Sequence, residues 1–271
     1  MTMNIFKGLS GKFLIPYGLS LIFGIWTYFT ISNILTYEDL QKFFIGMKLE
    51  VLELRKHEKD FLSREYKNPD FITTGHSDYL SSHHEIVQNL TISLDSLEDL
   101  NRANREEVAQ AKRLLTNYSS LFQQLADEIQ LKGFKDNGLV GELREAIHQV
   151  EDANVEYDRA YMLMLRRHEK DFFLRNDLTY LDKFKSATTD FREHLLQRVQ
   201  NRSSREALLS KLDTYERLFA QVVHIQQRIG LTEEDGLHGD LRDAIHEMVP
   251  YLNGFIARSN LQVDKKVRQS T

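Results

Sequence analysis

The chain of 271 residues has no cysteine, which excludes disulfide staples, thiolate metal ligands and thiol nucleophiles together. It has only three prolines and thirteen glycines, little material for sheet turns. No nucleophile elbow, P-loop or dinucleotide glycine pattern occurs, so no enzyme and no cofactor are expected. Basic stripes with interleaved aromatics are also missing and the net charge is −5, so nucleic acid is not an expected partner. Charge itself is missing from one long run. From Phe13 to Leu35 the chain reads FLIPYGLSLIFGIWTYFTISNIL without a charged residue.

At about 1.5 Å rise per residue that run spans roughly 35 Å, enough for a hydrocarbon core about 30 Å thick. A cleaved signal peptide would have a shorter apolar region and small residues at its end; Asn33-Ile34-Leu35-Thr36-Tyr37 supplies none. An uncleaved transmembrane helix over residues 13–35 is therefore expected. Lys7 and Lys12 precede it, Glu38 and Asp39 follow it, so residues 1–12 are expected in the cytoplasm and the rest outside it.

The full chain is 41% apolar and 28% charged, and the part beyond the anchor is rich in good helix formers. Apolar residues recur at spacings of three, four and seven, which predicts an all-α fold. The anchor is expected to continue as one helix to about Tyr66, with a break at residues 68–77. Helices are expected from about Asp78 to Lys132, bent near residues 101–104, and one long helix from Leu139 to about Asp177. Two more follow, broken near residues 201–204, and a last one runs to Arg258 or beyond with a kink at Pro250.

The chain also repeats itself. Leu54-Arg55-Lys56-His57-Glu58-Lys59-Asp60-Phe61 returns 111 residues later as Leu165-Arg166-Arg167-His168-Glu169-Lys170-Asp171-Phe172. The segment Gly138 to His148, GLVGELREAIH, returns as Gly236 to His246, GLHGDLRDAIH, and Tyr118…Phe122 is echoed by Tyr215…Phe219. The echoes keep their order, which implies two related units at about 54–151 and 165–249. Long helices with short connections fold as antiparallel bundles, so two stacked four-helix modules sharing long helices are expected.

The doubled LRxHEKDF and GLxGxLRxAIH segments, preceded by the anchor, resemble the helical bimodular sensor domain of bacterial chemoreceptors (methyl-accepting chemotaxis proteins) and sensor histidine kinases. The resemblance covers residues 37–264. It implies two stacked four-helix modules outside the inner membrane, in the periplasm, binding a small carboxylate ligand and passing a helix displacement to the membrane. Pairing of two copies along their long helices, as a homodimer, is a further implication. The sequence stops at Thr271, after the tail 265–271, without a second span, a HAMP linker or a signalling module. The expectation is a truncated receptor, or a chain that acts through a partner carrying the output.

Two readings of the motif charges follow from helix spacing. In the first they form a structural ion-pair network: Glu58 or Asp60 with Arg144 or His148 in one module, and Glu169 or Asp171 with Arg242 or His246 in the other. In the second, cations in an inter-helix cleft take an anionic ligand, with Arg55, Lys56, Arg64, Arg166, Arg167 and Arg242 as candidates and Arg175 beside them. The module containing Arg55 and the helix after Gly236 is the preferred place. His76, His83 and His84 lack ligand spacing and are expected to be solvated, and no metal site is expected. The Glu145…His148 pair, with Asp243…His246 as its echo, matches di-iron bundles only in spacing and has no evident second shell. The alternative function is an input domain for a kinase or a helical interaction subunit that binds no small ligand.

Overall fold

In the computed structural model residues 10–99 and 104–270 are described. Along the first helix, side chains are described at Phe23, Ile25 and from Glu38 onward; along the last, as far as Gln262 and at Lys265. The fold is all-α: α1 Ser10–Arg64, α2 Pro69–Thr74, α3 Asp78–Asp99, α4 Arg105–Lys132, α5 Gly138–Glu151, α6 Arg159–Arg175, α7 Thr179–Arg198, α8 Arg202–Ile229 and α9 Gly236–Ser270. The expected membrane span at 13–35 falls almost wholly on side chains outside the described residues. Among the described residues no helix is long and apolar enough to cross a membrane.

Short polar side chains mark the helix starts. Asn104 accepts the Glu106 amide at 2.9 Å, Asp158 the Ala160 amide at 2.9 Å and Asn201 the Ser204 amide at 2.9 Å, each satisfying a donor that the first turn cannot pair. The break expected at 68–77 contains α2, begun by Asn68 and Pro69 and ended by Gly75 at φ 74°. The helix expected to run unbroken from Leu139 to Asp177 is in fact two. Asp158 caps the second of them, and the turn before it is closed by the Val155 amide on the Ala153 carbonyl (2.8 Å) and by the Tyr157 hydroxyl on the Val150 carbonyl (3.0 Å). The apolar period bridges this turn because Val155 and Tyr157 still pack on the core. Of the bend expected at 101–104, all but Asn104 lies outside the described residues. Pro250 sits inside α9 without ending it.

Two apolar cores form. The first takes residues from α1, α2, α3, α4 and α9, with α1 and α4 each packed against both α3 and α9. The second takes residues from α5, α6, α7 and α8. The chain leaves the first core through the loop after α4 and returns to it through the loop after α8. Each core therefore combines parts of both repeats: the first LRxHEKDF copy on α1 lies with the second GLxGxLRxAIH copy on α9, and the second on α6 with the first on α5. The end of α8 reaches across, since Ile225 and Ile229 belong to the first core while Leu208 to Val223 belong to the second.

Candidate functional site: a doubled polar centre

The repeated motifs interlock in the same way in both cores. Phe61 packs edge-on against Phe122 with ring centroids 5.2 Å apart, and Phe172 packs on Phe219 at 5.7 Å. All four rings are fully buried, and burying a side chain of this size contributes about 1.5–3 kcal/mol. One turn earlier, the Tyr118 hydroxyl donates to the Glu58 carboxylate at 2.7 Å, and Tyr215 donates to Glu169. Arg64 lies over the Tyr79 ring and Arg175 over Tyr180, at 5.9 and 5.7 Å from the centroids. His57 and His168 face the same two tyrosines. The LRxHEKDF segment is thus a packing device used twice, with one acid turned inward.

That inward acid is the least ordinary part of each core. Burial pushes the carboxyls of Glu58 and Glu169 above the usual range, and the tyrosine hydrogen bond and the arginine one turn earlier pull back only in part. Burial and the adjacent carboxylate drive both tyrosine hydroxyls far up, so they remain donors. The arginines differ. Arg166 donates to Glu151 at 2.6 Å, and His148 reaches the other oxygen of Glu151 at 2.9 Å. Glu151 feels an upward push from burial, but the Arg166 and His148 contacts outweigh it and hold its pKa down. In the first core, α9 places Val249 at the position corresponding to Glu151. Among the described residues the one acid paired with Arg55 is Glu58, 3.6 Å from its Nε, and that nitrogen is buried without a hydrogen-bond partner.

His83, expected in solvent, lies in the core with 3% of its surface exposed. Its ring stands 4.4 Å from Phe122 and 5.4 Å from Tyr118, where Phe184 stands 4.3 Å from Phe219 and 5.3 Å from Tyr215. The imidazole has taken a phenylalanine's place. Burial first, and then His57 and His84, lower its pKa to about 3, so it is neutral. The neighbouring sequence is polar because α3 exposes its other face at His84, and His76 is exposed in the loop before α3.

The expected ion pairs between the motifs do not form, because the two motif copies of one repeat lie in different cores. Arg144 binds Asp136 at 2.9 Å and Arg242 binds Glu234 at 3.5 Å, each fastening its helix to the preceding loop at the surface. His148 meets Glu151, and His246 is exposed. Asp60 meets Arg64, and Asp171 meets Arg167 and Arg175, all within single helices. The glycines of this motif serve the same loops. Gly138 and Gly236 adopt φ 65° and 56°, and a Cβ on Gly141 or Gly239 would lie 2.3 Å from the loop backbone.

No protein family, curated protein or solved structure matches the chain.

The six candidate ligand cations are not gathered at one place. Lys56 and Arg167 are exposed, Arg64 is held by Asp60 and Tyr79, and Arg242 by Glu234. Arg166, Arg167 and Lys170 line one open cleft on α6, but Glu151 and Asp171 line it too and offset two of the three charges. Arg55 alone among the six stands half-buried with a single weak acid contact. Among the described residues no group of His, Asp and Glu is arranged to hold a metal. Helix spacing along the sequence does not single out Tyr118 and Tyr215 as carboxylate partners, although their doubling beside the doubled glutamate was the available signal. Glu151 carried a signal as well, since three residues beyond the repeated LRxAIH segment one copy has an acid where the other has Val249.

Proposed function

We propose that the chain is the extracytoplasmic sensor region of a chemoreceptor-type or sensor-kinase transducer, anchored through residues 13–35. A small carboxylate is taken by Arg55 in the core of α1, α3, α4 and α9. The observation that carries this reading is the internal comparison: Arg166 has its second acid, and Arg55 has valine in that place. A guanidinium with one loosely placed carboxylate in a half-buried site favours a second, and its planar fork takes a carboxylate through two hydrogen bonds. The two helical cores and the doubled motifs agree with the helical bimodular sensor resemblance. The return of α9 beside α1 also supports it; Gln41 and Asn260 exchange amide hydrogen bonds of 2.7 and 3.3 Å between them. A ligand that binds between α1 and its neighbours would shift these helices by its differential affinity for their arrangements.

An exposed stripe on α1, Ile45, Leu49 and Leu52 at i, i+4 and i+7, supports pairing of two copies along this helix. The functional test is thermal melting of the full chain with a panel of di- and tricarboxylates. At a hundred times its Kd a ligand adds about 2.7 kcal/mol to stability, a readily measured rise in midpoint. Arg55→Ala should abolish the rise, with some fall in the unliganded midpoint because Glu58 loses its neighbouring cation. If no acid shifts the midpoint, or Arg55→Ala shifts as the parent does, Arg55 is not the anion site.

A further inference from the structure

Where the two cores meet, a cavity of about 570 Å³ opens between α1, α4, α5, α6, α8 and α9. Its walls are apolar: Leu62, Phe134, Val140, Phe173 and Ile229 among them. Into it comes Lys132, the last residue of α4, whose Nζ donates to Gln226 Oε1 at 2.6 Å. Gln226 is itself buried and held in place, its amide donating to the Gly230 carbonyl at 2.7 Å. An ammonium has three donors, and this contact uses one. Burial lowers the pKa of Lys132, and among the described residues no carboxylate acts against it. His238 closes the same cavity; burial lowers its pKa, Glu233 opposes that in part, and Lys132 adds a smaller lowering.

The position corresponding to Lys132 in the other repeat carries no charge. Counting from Tyr118 and Tyr215, Lys132 corresponds to Ile229 and Gln226 to Ile129. All four line the cavity. One diagonal is thus Ile129 with Ile229, and the other Lys132 with Gln226. Isoleucine fits this place in the α8 copy, where it is 4% exposed. A cation kept in an apolar cavity without a counter-ion costs stability that isoleucine would not. Ligand pockets have this composition, with mostly apolar walls and few placed polar groups.

We propose that the junction cavity binds a small monocarboxylate with an apolar body, its carboxylate held by Lys132 Nζ and its body lying against Leu62, Phe134 and Phe173. Charge complementarity selects the carboxylate and the walls select the apolar body. Because the walls come from both cores, occupancy fastens one core to the other. This site is separate from Arg55, and neither depends on the other.

The test is equilibrium dialysis of the full chain with radiolabelled phenylacetate, in parallel with its neutral counterpart 2-phenylethanol. The expected result is one equivalent of phenylacetate bound, with 2-phenylethanol at least tenfold weaker. Lys132→Met should weaken phenylacetate at least tenfold while keeping or raising the melting midpoint. Val140→Trp, which fills the apolar end and leaves Lys132 in place, should also weaken it at least tenfold; Arg55→Ala should not change it. The proposal is overturned if phenylacetate does not bind, if either cavity variant binds it like the parent, or if Arg55→Ala abolishes binding.

Discussion

Replacing Tyr118 by Phe removes the hydroxyl that donates to the buried Glu58 carboxylate at 2.7 Å and leaves the ring packing in place. A hydrogen bond to a charged group contributes about 1.5–3 kcal/mol, and here the carboxylate left behind is 5% exposed, so water cannot replace the donor cheaply. A loss of about 2–3 kcal/mol is expected at pH 7.5. The pH dependence gives the sharper check. Burial raises the Glu58 pKa in the folded chain above its unfolded value. A raised pKa means the folded state holds this proton more tightly; the stability so gained is full below the unfolded carboxylate pKa and is lost as pH rises through the folded one. Tyr118→Phe raises the folded pKa further. The deficit of the variant is therefore largest at pH 7.5 and shrinks, below about pH 4.3, to that of a neutral hydrogen bond, about 0.5–1.5 kcal/mol. Glu58→Gln keeps an acceptor for Tyr118 and drops the buried charge, so its stability at pH 7.5 should equal or exceed that of the parent. Tyr215→Phe should repeat the Tyr118→Phe pattern through Glu169. Urea unfolding followed by circular dichroism at pH 7.5 and 4 measures all of these. A loss below about 0.5 kcal/mol for Tyr118→Phe, or an equal loss at both pH values, would refute the argument.

His83→Phe copies the ring that the second core already uses. Since the folded pKa of His83 is lowered to about 3, its neutral-state advantage is whole above the unfolded value and is lost as pH falls from about 6.5 toward 3, at up to about 1.4 kcal/mol per unit. The variant should lose that slope; a parent and variant with parallel stability–pH curves would count against a buried neutral imidazole. For the α1 stripe, the absence of cysteine makes a single substitution readable. Leu49→Cys should form a disulfide-linked dimer under mild oxidation and Leu196→Cys, exposed on α7, should not; equal cross-linking of the two would remove the stripe as a pairing surface.

How much of this was legible in the chain differs from residue to residue. The helices were, because periodicity and Asn or Asp caps are local. The break at 152–158 was not, because Val155 and Tyr157 continue to feed the second core through a non-helical turn. The inward acid of each LRxHEKDF copy was legible as a polar residue between Leu and Phe positions. Its partner was not, since Tyr118 lies 60 residues from Glu58. His83 misled because residues beside it are exposed, and only the packing of α3 decides which way its ring turns.

The sequence by itself determined that the protein is helical, that it is doubled, and which residues recur in the doubling, because helix propensity, capping and repetition act over short stretches. Only the tertiary structure decided how the halves combine. The chain crosses between cores after α4 and again after α8, so each core is built from one part of each repeat, and charges that look like partners along the chain end up apart. The same crossing brings Lys132 and Gln226 together, 94 residues apart, in a cavity that belongs to neither repeat alone.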